Sequence, residues 1–275
     1  MANAGEVGPV PARVAGSDRV ALRDPVFISD LHLCAQRPRT LRRFLDLLEA
    51  IGGSAAELVI LGDLFEYWAG DDALQDGGPD DLVGVEVAQA LRRLGSRNTI
   101  VYLMHGNRDV LLGTQFLQAS GALLLTDPAI ARIGVAPTQQ PTLLAHGDAY
   151  CTLDLPYQAF RSQAREPSFQ AAFLARPLAE RRALIGQARA RSETGKQQMS
   201  AEIMDVTPAA IAEALRSAGV RQMIHGHTHR PARHDFPLDE LPAIRWVLPD
   251  WDQDTLPPRG GGLRLVAGVL QDLRL

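Results

Sequence analysis

The sequence is poor in the features that mark several large classes of protein. It has two cysteines, Cys34 and Cys151, which form no CxxC pair and indicate a reducing compartment. No apolar run approaches the roughly 18–20 residues that a membrane-spanning helix needs, and residues 1–19 lack the charge and apolar stretch of a secretory signal. The formal net charge of −4 provides no broad basic surface for nucleic acid. We therefore expect a cytoplasmic protein with no transmembrane segment and no nucleic-acid partner.

The composition is otherwise that of an ordinary globular protein. The chain has 275 residues, 46% hydrophobic and 22% charged, which is enough for one large domain or two small ones. Short β-rich runs alternate with amphipathic helical patterns such as Leu41, Phe44, Leu45 and Leu48. This alternation predicts an α/β fold with a buried sheet.

Two segments depart from that alternation. Residues 1–24 contain Ala, Gly, Pro and Val without periodicity, and we expect a flexible N-terminal tail before a domain over 25–275. Residues 156–204 are helical in pattern and rich in Arg and Ala, with Pro177 expected to divide them into two helices. Because they stand between two strand signals, they are predicted to be an insertion or cap.

Metal-ligand residue types follow five of the apolar runs. They are Asp30 and His32, Asp63, Asn107, His146, and His227 and His229. Residues two apart in extended chain point the same way, so each Asp-x-His or His-x-His pair can reach one ion. Open α/β sheets place their sites beyond the carboxyl ends of strands, so these seven side chains are predicted to converge.

Mixed Asp, Asn and His ligands are typical of divalent manganese, iron or zinc. Seven ligands exceed one tetrahedral ion but are enough for two ions that share a carboxylate. Such a centre would keep about one positive charge and attract an anion locally. Two metals ~3.5–4 Å apart can clamp phosphoryl oxygens and lower the pKa of a bound water toward ~7. No motif positions a serine or cysteine nucleophile, and this chemistry needs none.

The ordered motifs Asp-x-His, Gly-Asp-x-x-Glu, Gly-Asn-Arg-Asp, His-Gly-Asp and Gly-His-Thr-His resemble those of the calcineurin-like binuclear metallophosphoesterases. The resemblance covers Val26 to about Trp251 and implies a four-layer α-β-β-α sandwich, here with a helical lid insertion. It implies one metal on Asp30, His32, Asp63 and His229. It implies a second metal on Asp63, Asn107, His146 and His227.

The third motif departs from the superfamily pattern, in which histidine commonly follows the asparagine. Here the residue is Arg108, whose guanidinium cannot donate a proton at neutral pH but grips phosphate with a planar fork. An enzyme with a clamp in place of an acid is expected to expel a leaving group that needs no proton, such as a phosphate. Asn107 and Arg108 are the predicted catalytic residues, and a pyrophosphate is the predicted substrate.

Further stretches, "FISDLHL", "GDLFEYWAGDD", "HGDAYCTLDLPYQAFR" and "IHGHTHRP", resemble the UDP-2,3-diacylglucosamine pyrophosphatases of lipid A synthesis. That resemblance implies two Mn²⁺ per subunit and attack of metal-bound water on the α-phosphorus of UDP-2,3-diacylglucosamine. The products would be UMP and 2,3-diacylglucosamine 1-phosphate (lipid X). The enzyme would work peripherally at the cytoplasmic face of the inner membrane, an anionic surface.

The resemblance also implies a role for the insertion as a lid over the acylated sugar. An acyl groove is expected from Phe173, Leu174, Leu178, Leu184 and Ile185, and lipid-facing charge from Arg176, Arg181 and Arg182. The substrate contacts implied by motif are Asn107, Arg108, Asp154, Ser192, Lys196 and His227. Arg189 is expected near the phosphates, and Met199 is a further predicted contact by its position. The family commonly has asparagine where Lys196 stands and lysine where Met199 stands.

Two other functions stay open at this point. The first is another binuclear phosphoesterase that acts on soluble nucleotides, against which the lid composition and Arg108 argue. The second is a phosphoesterase-like scaffold without catalysis, although such proteins usually lose metal ligands and all seven are present here.

Overall fold

The computed structural model describes residues 18–196, 203 and 205–274, with residues 191–196 described by their backbone. One six-stranded sheet has the order β1-β6-β7-β8-β10-β9. Its strands are β1 (Arg19–Leu22), β6 (Ala129–Ile133), β7 (Gln140–Ala145), β8 (Gln222–His225), β9 (Ala232–Leu238) and β10 (Leu241–Val247).

A second six-stranded sheet has the order β12-β11-β2-β3-β4-β5. Its strands are β2 (Pro25–Ile28), β3 (Glu57–Leu61), β4 (Ile100–Met104), β5 (Leu123–Leu125), β11 (Gly262–Val266) and β12 (Val269–Leu273). The α-helices are α1 (Pro38–Ile51), α2 (Pro79–Ser96), α3 (Thr114–Ser120), α4 (Leu155–Ala164), α5 (Pro167–Leu174), α6 (Leu178–Lys196) and α7 (Pro208–Ala218).

Alternating side chains place the second sheet between two apolar layers. In β3, Leu58 and Ile60 pack with helices α1 to α3, whereas Val59 and Leu61 pack against the other sheet. The far face of the first sheet packs on α7 in a third cluster that includes Leu215. Because a strand directs successive side chains to opposite faces, the two sheets and two helical layers form the predicted four-layer α-β-β-α sandwich. That prediction is confirmed.

Parallel pairing gathers the strand ends that carry the predicted ligands. Strands β2, β3 and β4 lie side by side and parallel in one sheet, and β7 pairs parallel with β8 in the other. The five predicted turns follow these five strands, at the same edge of each sheet. Sheet packing then brings the two edges together.

Strand β1 shows that the predicted N-terminal tail, residues 1–24, extends too far into the folded part. Residues 19–22 pair parallel with β6, so the folded part begins before residue 25. The pattern is only four residues long and its partner strand lies far along the chain, which left no local signal to recognise. As predicted, the chain breaks at Pro177, between the end of α5 at Leu174 and the start of α6 at Leu178. None of the helices in the described ranges is long and apolar enough to span a bilayer.

Candidate metal centre

The structure brings the predicted ligands into one cluster, in which Asp30, His32, Asp63 and His146 are buried and His229 is exposed. The ligand atoms of Asp30, His32 and His229 lie within 4.8 Å of one another, and so do those of Asp30, Asp63 and His146. His32 Nε2 is 3.3 Å from His229 Nε2, so two imidazole nitrogens from distant strand ends face each other. Both aspartates are buried. The arrangement offers two adjacent groups of ligand atoms.

The carboxylate of Asp63 lies between the two groups. Its Oδ2 is 3.9 Å from His32 Nε2, and its Oδ1 is 3.7 Å from His146 Nε2. Asp30 differs, because its Oδ2 already accepts the Ser29 hydroxyl at 2.6 Å and the His227 N–H at 2.9 Å. Only Oδ1 of Asp30 is left for the site, 3.4 Å from His229 Nε2. Asp30 belongs to both groups of ligand atoms, but through a single oxygen. Asp63, whose Oδ1 also accepts the Arg108 N–H, presents a different oxygen to each histidine, and this favours Asp63 as the carboxylate that two ions would share.

Asn107 closes the second group. Its Oδ1 lies 3.0 Å from His146 Nε2 and 3.0 Å from His227 Nδ1. One amide oxygen therefore faces two imidazoles on the other sheet. An amide is the neutral oxygen donor that completes a set of histidines and carboxylates around a divalent ion.

The cluster contains the polar atoms that a cation would satisfy. Asp30 Oδ1 is buried and has no hydrogen-bond partner among the described residues. Burial raises the pKa of Asp63 to about 7, because the charge of His146 only partly offsets desolvation. Burial would also raise the pKa of Asp30, but contact with His229 and the nearby imidazoles hold it below its usual value. Such opposed shifts mark a functional site, and the donor set fits divalent metal.

The backbone at the ligands is strained. Five of them have positive φ, namely Asp30 at 54°, His32 at 48°, Asp63 at 53°, His227 at 69° and His229 at 54°. A non-glycine residue in this region costs on the order of 1–3 kcal/mol and persists only where its surroundings enforce it. The strained turns are what direct these side chains into the cluster.

Glycines allow the ligand turns to approach one another. A Cβ on Gly62, which has φ of 87°, would stand 2.5 Å from His146 Nδ1, and one on Gly106 would collide with Asp63 Oδ1. A Cβ on Gly226 would likewise collide with Asp30. The Gly-Asp, Gly-Asn and Gly-His pairs in the sequence are therefore places where two loops touch.

Three ligand histidines turn Nε2 toward the cluster and have an acceptor near Nδ1. His146 Nδ1 is 2.9 Å from the Leu61 carbonyl oxygen. His32 Nδ1 is 3.5 Å from Glu66 Oε2, and His229 Nδ1 is 3.7 Å from Asp250 Oδ2. Acceptors in this position orient metal-bound histidines. Sequence reasoning missed Asp250 and gave Glu66 no role, although Glu66 stands in the Gly-Asp-x-x-Glu motif.

Arg108 lies at the edge of this cluster. Its backbone N–H donates to Asp63 Oδ1 at 2.8 Å, and its partly exposed guanidinium has Nη1 3.7 Å from Glu66 Oε1. Arg189 on α6 reaches the same carboxylate oxygen. The predicted clamp and one predicted substrate contact thus meet beside the ligands, and their contact with substrate stays a prediction.

Asp154 has a structural role in addition to the substrate contact predicted for it. It is the N-cap of α4, where Oδ1 accepts the Tyr157 N–H at 3.1 Å. We expect Asp154→Ala to lower the free energy of unfolding by about 1 kcal/mol, and Asp154→Asn to remain near wild type because asparagine caps equally well. Urea denaturation compares the three proteins, and equal stability of all three would contradict the cap.

The structure corrects the prediction that Arg181 and Arg182 of α6 face lipid. Arg181 is 2% exposed and pairs with Asp72 and the Ala69 carbonyl. Arg182 pairs with Asp76 at 2.7 Å and with Asp81 at 2.5 Å. Local helical pattern cannot reveal that carboxylates from residues 72–81 pack against this helix.

The remaining lid predictions have mixed outcomes. Arg176 is exposed and pairs with Glu180 at 2.7 Å. The predicted acyl-groove side chains are partly or well exposed, with Leu174 at 40%. The side chains of Ser192 and Lys196, and all of Met199, lie outside the described residues. Those substrate contacts stay predictions.

Comparison with known proteins agrees with this geometry. The sequence profile of the calcineurin-like phosphoesterases matches residues 26–231. The chain is 46% identical over 243 residues to a protein of Chromohalobacter salexigens named UDP-2,3-diacylglucosamine hydrolase, covering 85% of this chain and 95% of that protein. A Bordetella pertussis protein of the same name is 45% identical over 256 residues, covering 92% and 96%. The chain therefore belongs to the calcineurin-like phosphoesterase family.

Proposed function

We propose that this protein hydrolyses the pyrophosphate bond of UDP-2,3-diacylglucosamine at the α-phosphorus, giving UMP and 2,3-diacylglucosamine 1-phosphate. The observation that carries the proposal is the ligand cluster in which the carboxylate of Asp63 lies between His32 and His146, with Arg108 at its edge. The relatives named for this hydrolysis support the choice of substrate.

Two Mn²⁺ ions are the proposed cofactors. Asp30, His32, Asp63 and His229 would hold one, and Asp63, Asn107, His146 and His227 the other. When bound, such ions polarise phosphoryl oxygens and lower the pKa of water. The protein's own contribution is to hold the ligands: strained turns aim them, and the Leu61 carbonyl oxygen fixes the ring orientation of His146. Carboxylate oxygens of Glu66 and Asp250 lie near Nδ1 of His32 and His229.

Arg108 supplies a clamp for the phosphate next to that centre. Its guanidinium is partly exposed, so one side is open to a ligand while Nη1 stays near Glu66. A guanidinium stays protonated and matches two phosphate oxygens with its planar fork. It therefore stabilises charge on the departing glycosyl phosphate, which needs no proton to leave.

Helices α4 to α6 are the proposed lid over the acylated sugar. All residues of α4 and α5 are exposed or half-buried, and Leu155 is 71%, Phe160 50% and Leu174 40% exposed. Exposed apolar side chains of this density are typical of a surface that contacts lipid. This exposure supports our proposal that the protein binds peripherally to the cytoplasmic face of the inner membrane.

The test is a comparison of substrates with purified protein. We expect Mn²⁺-dependent release of UMP from UDP-2,3-diacylglucosamine, and much slower release from UDP-N-acetylglucosamine, which lacks the long acyl chains. Chelation should abolish the reaction, and adding back Mn²⁺, Mg²⁺, Co²⁺ or Zn²⁺ separately measures which ion supports it best. Faster hydrolysis of soluble nucleotides would make the protein a nucleotide phosphoesterase. A manganese-saturated but inactive protein would indicate a scaffold.

A further inference from the structure

Glu66 is a buried carboxylate that lies close to four nitrogen groups. Its Oε2 is 3.5 Å from His32 Nδ1 and 3.6 Å from Arg37 Nη1. Its Oε1 is 3.7 Å from Arg108 Nη1 and also contacts Arg189 Nη2. The residue is 8% exposed. A single carboxylate therefore joins a predicted metal ligand to three guanidinium groups.

The contact with His32 concerns the side of the ring that faces away from the centre. Nε2 points toward Asp63 and His229, whereas Nδ1 is buried and has no hydrogen-bond partner among the described residues. Glu66 Oε2, at 3.5 Å, is the carboxylate oxygen placed to accept its proton. A carboxylate at this position fixes the tautomer that leaves Nε2 free for a metal and raises the basicity of that nitrogen.

Glu66 also contacts the three arginines that together would form the anion clamp. Arg108 comes from the turn after β4, Arg189 from α6 and Arg37 from the turn before α1. Three guanidinium groups near one carboxylate leave an excess of positive charge beside the metal centre. Without a shared anion they would repel one another and separate, since like charges a few ångströms apart are unfavourable. Glu66 therefore fixes their relative position before a phosphate arrives.

We propose that Glu66 is a positioning residue that orients His32 for metal binding and assembles Arg37, Arg108 and Arg189 into one preformed anion clamp. The clamp half of this statement rests on the proposed function, whereas the His32 half requires only a divalent ion. Glu66 does not contact the reacting phosphorus; it acts through the side chains that it holds. It also joins the lid helix α6 to the loop that carries Asp63.

Metal affinity is the first test. Glu66→Gln keeps the shape but removes the charge, and we expect the dissociation constant for Mn²⁺ of the metal-depleted protein to rise about 10-fold or more. Asp72→Asn is the matched control, because it also removes a carboxylate partner of an α6 arginine, Arg181, but contacts neither His32 nor Arg108. Calorimetric titration should give the control an affinity within twofold of wild type. An unchanged affinity in Glu66→Gln would overturn the role toward His32.

The second test separates kcat from KM at saturating Mn²⁺. Glutamine no longer competes with phosphate for the arginines, so KM should not rise, whereas loss of their fixed geometry should lower kcat about 10-fold or more. A raised KM with unchanged kcat would overturn the clamp role. Failure of the lipid nucleotide as a substrate would overturn the proposed function and the clamp, while the Mn²⁺ titration would still decide the role toward His32. A wild-type protein that binds no divalent ion would overturn both proposals.

Discussion

Asp63→Ala is expected to reduce hydrolysis roughly 10³-fold or more, because metal-ion stabilisation of the transition state is worth several kcal/mol and each 1.36 kcal/mol is a factor of ten. The two oxygens of Asp63 face His32 at 3.9 Å and His146 at 3.7 Å, so its loss affects both groups of ligands. Replacing Asp30 would instead leave Asp63 facing both histidines, because Asp30 has only Oδ1 free for the site. Initial rates of UMP release and metal content by elemental analysis measure the effect, and fewer than two ions per chain are expected.

Two further proteins make this test specific. Asp63→Asn keeps the side-chain shape and an acceptor for the Arg108 N–H, so a folding defect is less severe, yet the shared charge is gone. Asp239→Ala removes an exposed aspartate that pairs with Arg216 away from the cluster, and it should retain full activity and metal. Wild-type rates in both Asp63 variants would show that Asp63 is not a ligand of the metal centre.

Arg108→Ala should lower kcat roughly 10²–10³-fold, the usual cost of removing one group that stabilises transition-state charge. Metal content should not change, because residue 108 contacts Asp63 through its backbone N–H, which alanine retains. The combination of full metal content with slow turnover distinguishes a phosphate clamp from a structural residue. Steady-state kinetics and elemental analysis on the same preparation measure both.

Arg108→Lys gives the matched control for the clamp. Lysine keeps the positive charge but has no planar fork, so it cannot bind two phosphate oxygens in the same geometry. We expect its kcat between those of Arg108→Ala and the wild type. If lysine restores the full rate, positive charge alone is sufficient at position 108 and bidentate binding is not required.

The layered fold and the candidate ligands could be predicted from the sequence, because both are marked by local features. Buried strands are marked by short apolar runs, as in residues 57–61, and polar residues directly after such runs must lie at sheet edges. Asp30, His32, Asp63 and Asn107 were predicted in this way, and the structure places them within one cluster. Their residue types then indicate metal chemistry without knowledge of the packing.

Tertiary structure decided which side chains pair across that cluster. Glu66 meets Arg37, Arg108 and Arg189, and nothing in its own motif names those partners. Arg181 was also misjudged from sequence, because the helical pattern predicts it at the surface whereas the fold buries it against Asp72.

The chain by itself therefore determined where strands end and which chemical groups stand there, because side-chain periodicity and turn residues are local properties. Only the packed fold decided that β7 and β8 bring His146 and His227 opposite the turns of β2, β3 and β4. That arrangement depends on how two twisted sheets stack face to face. It is a property of distant segments in contact, which no short stretch of sequence encodes.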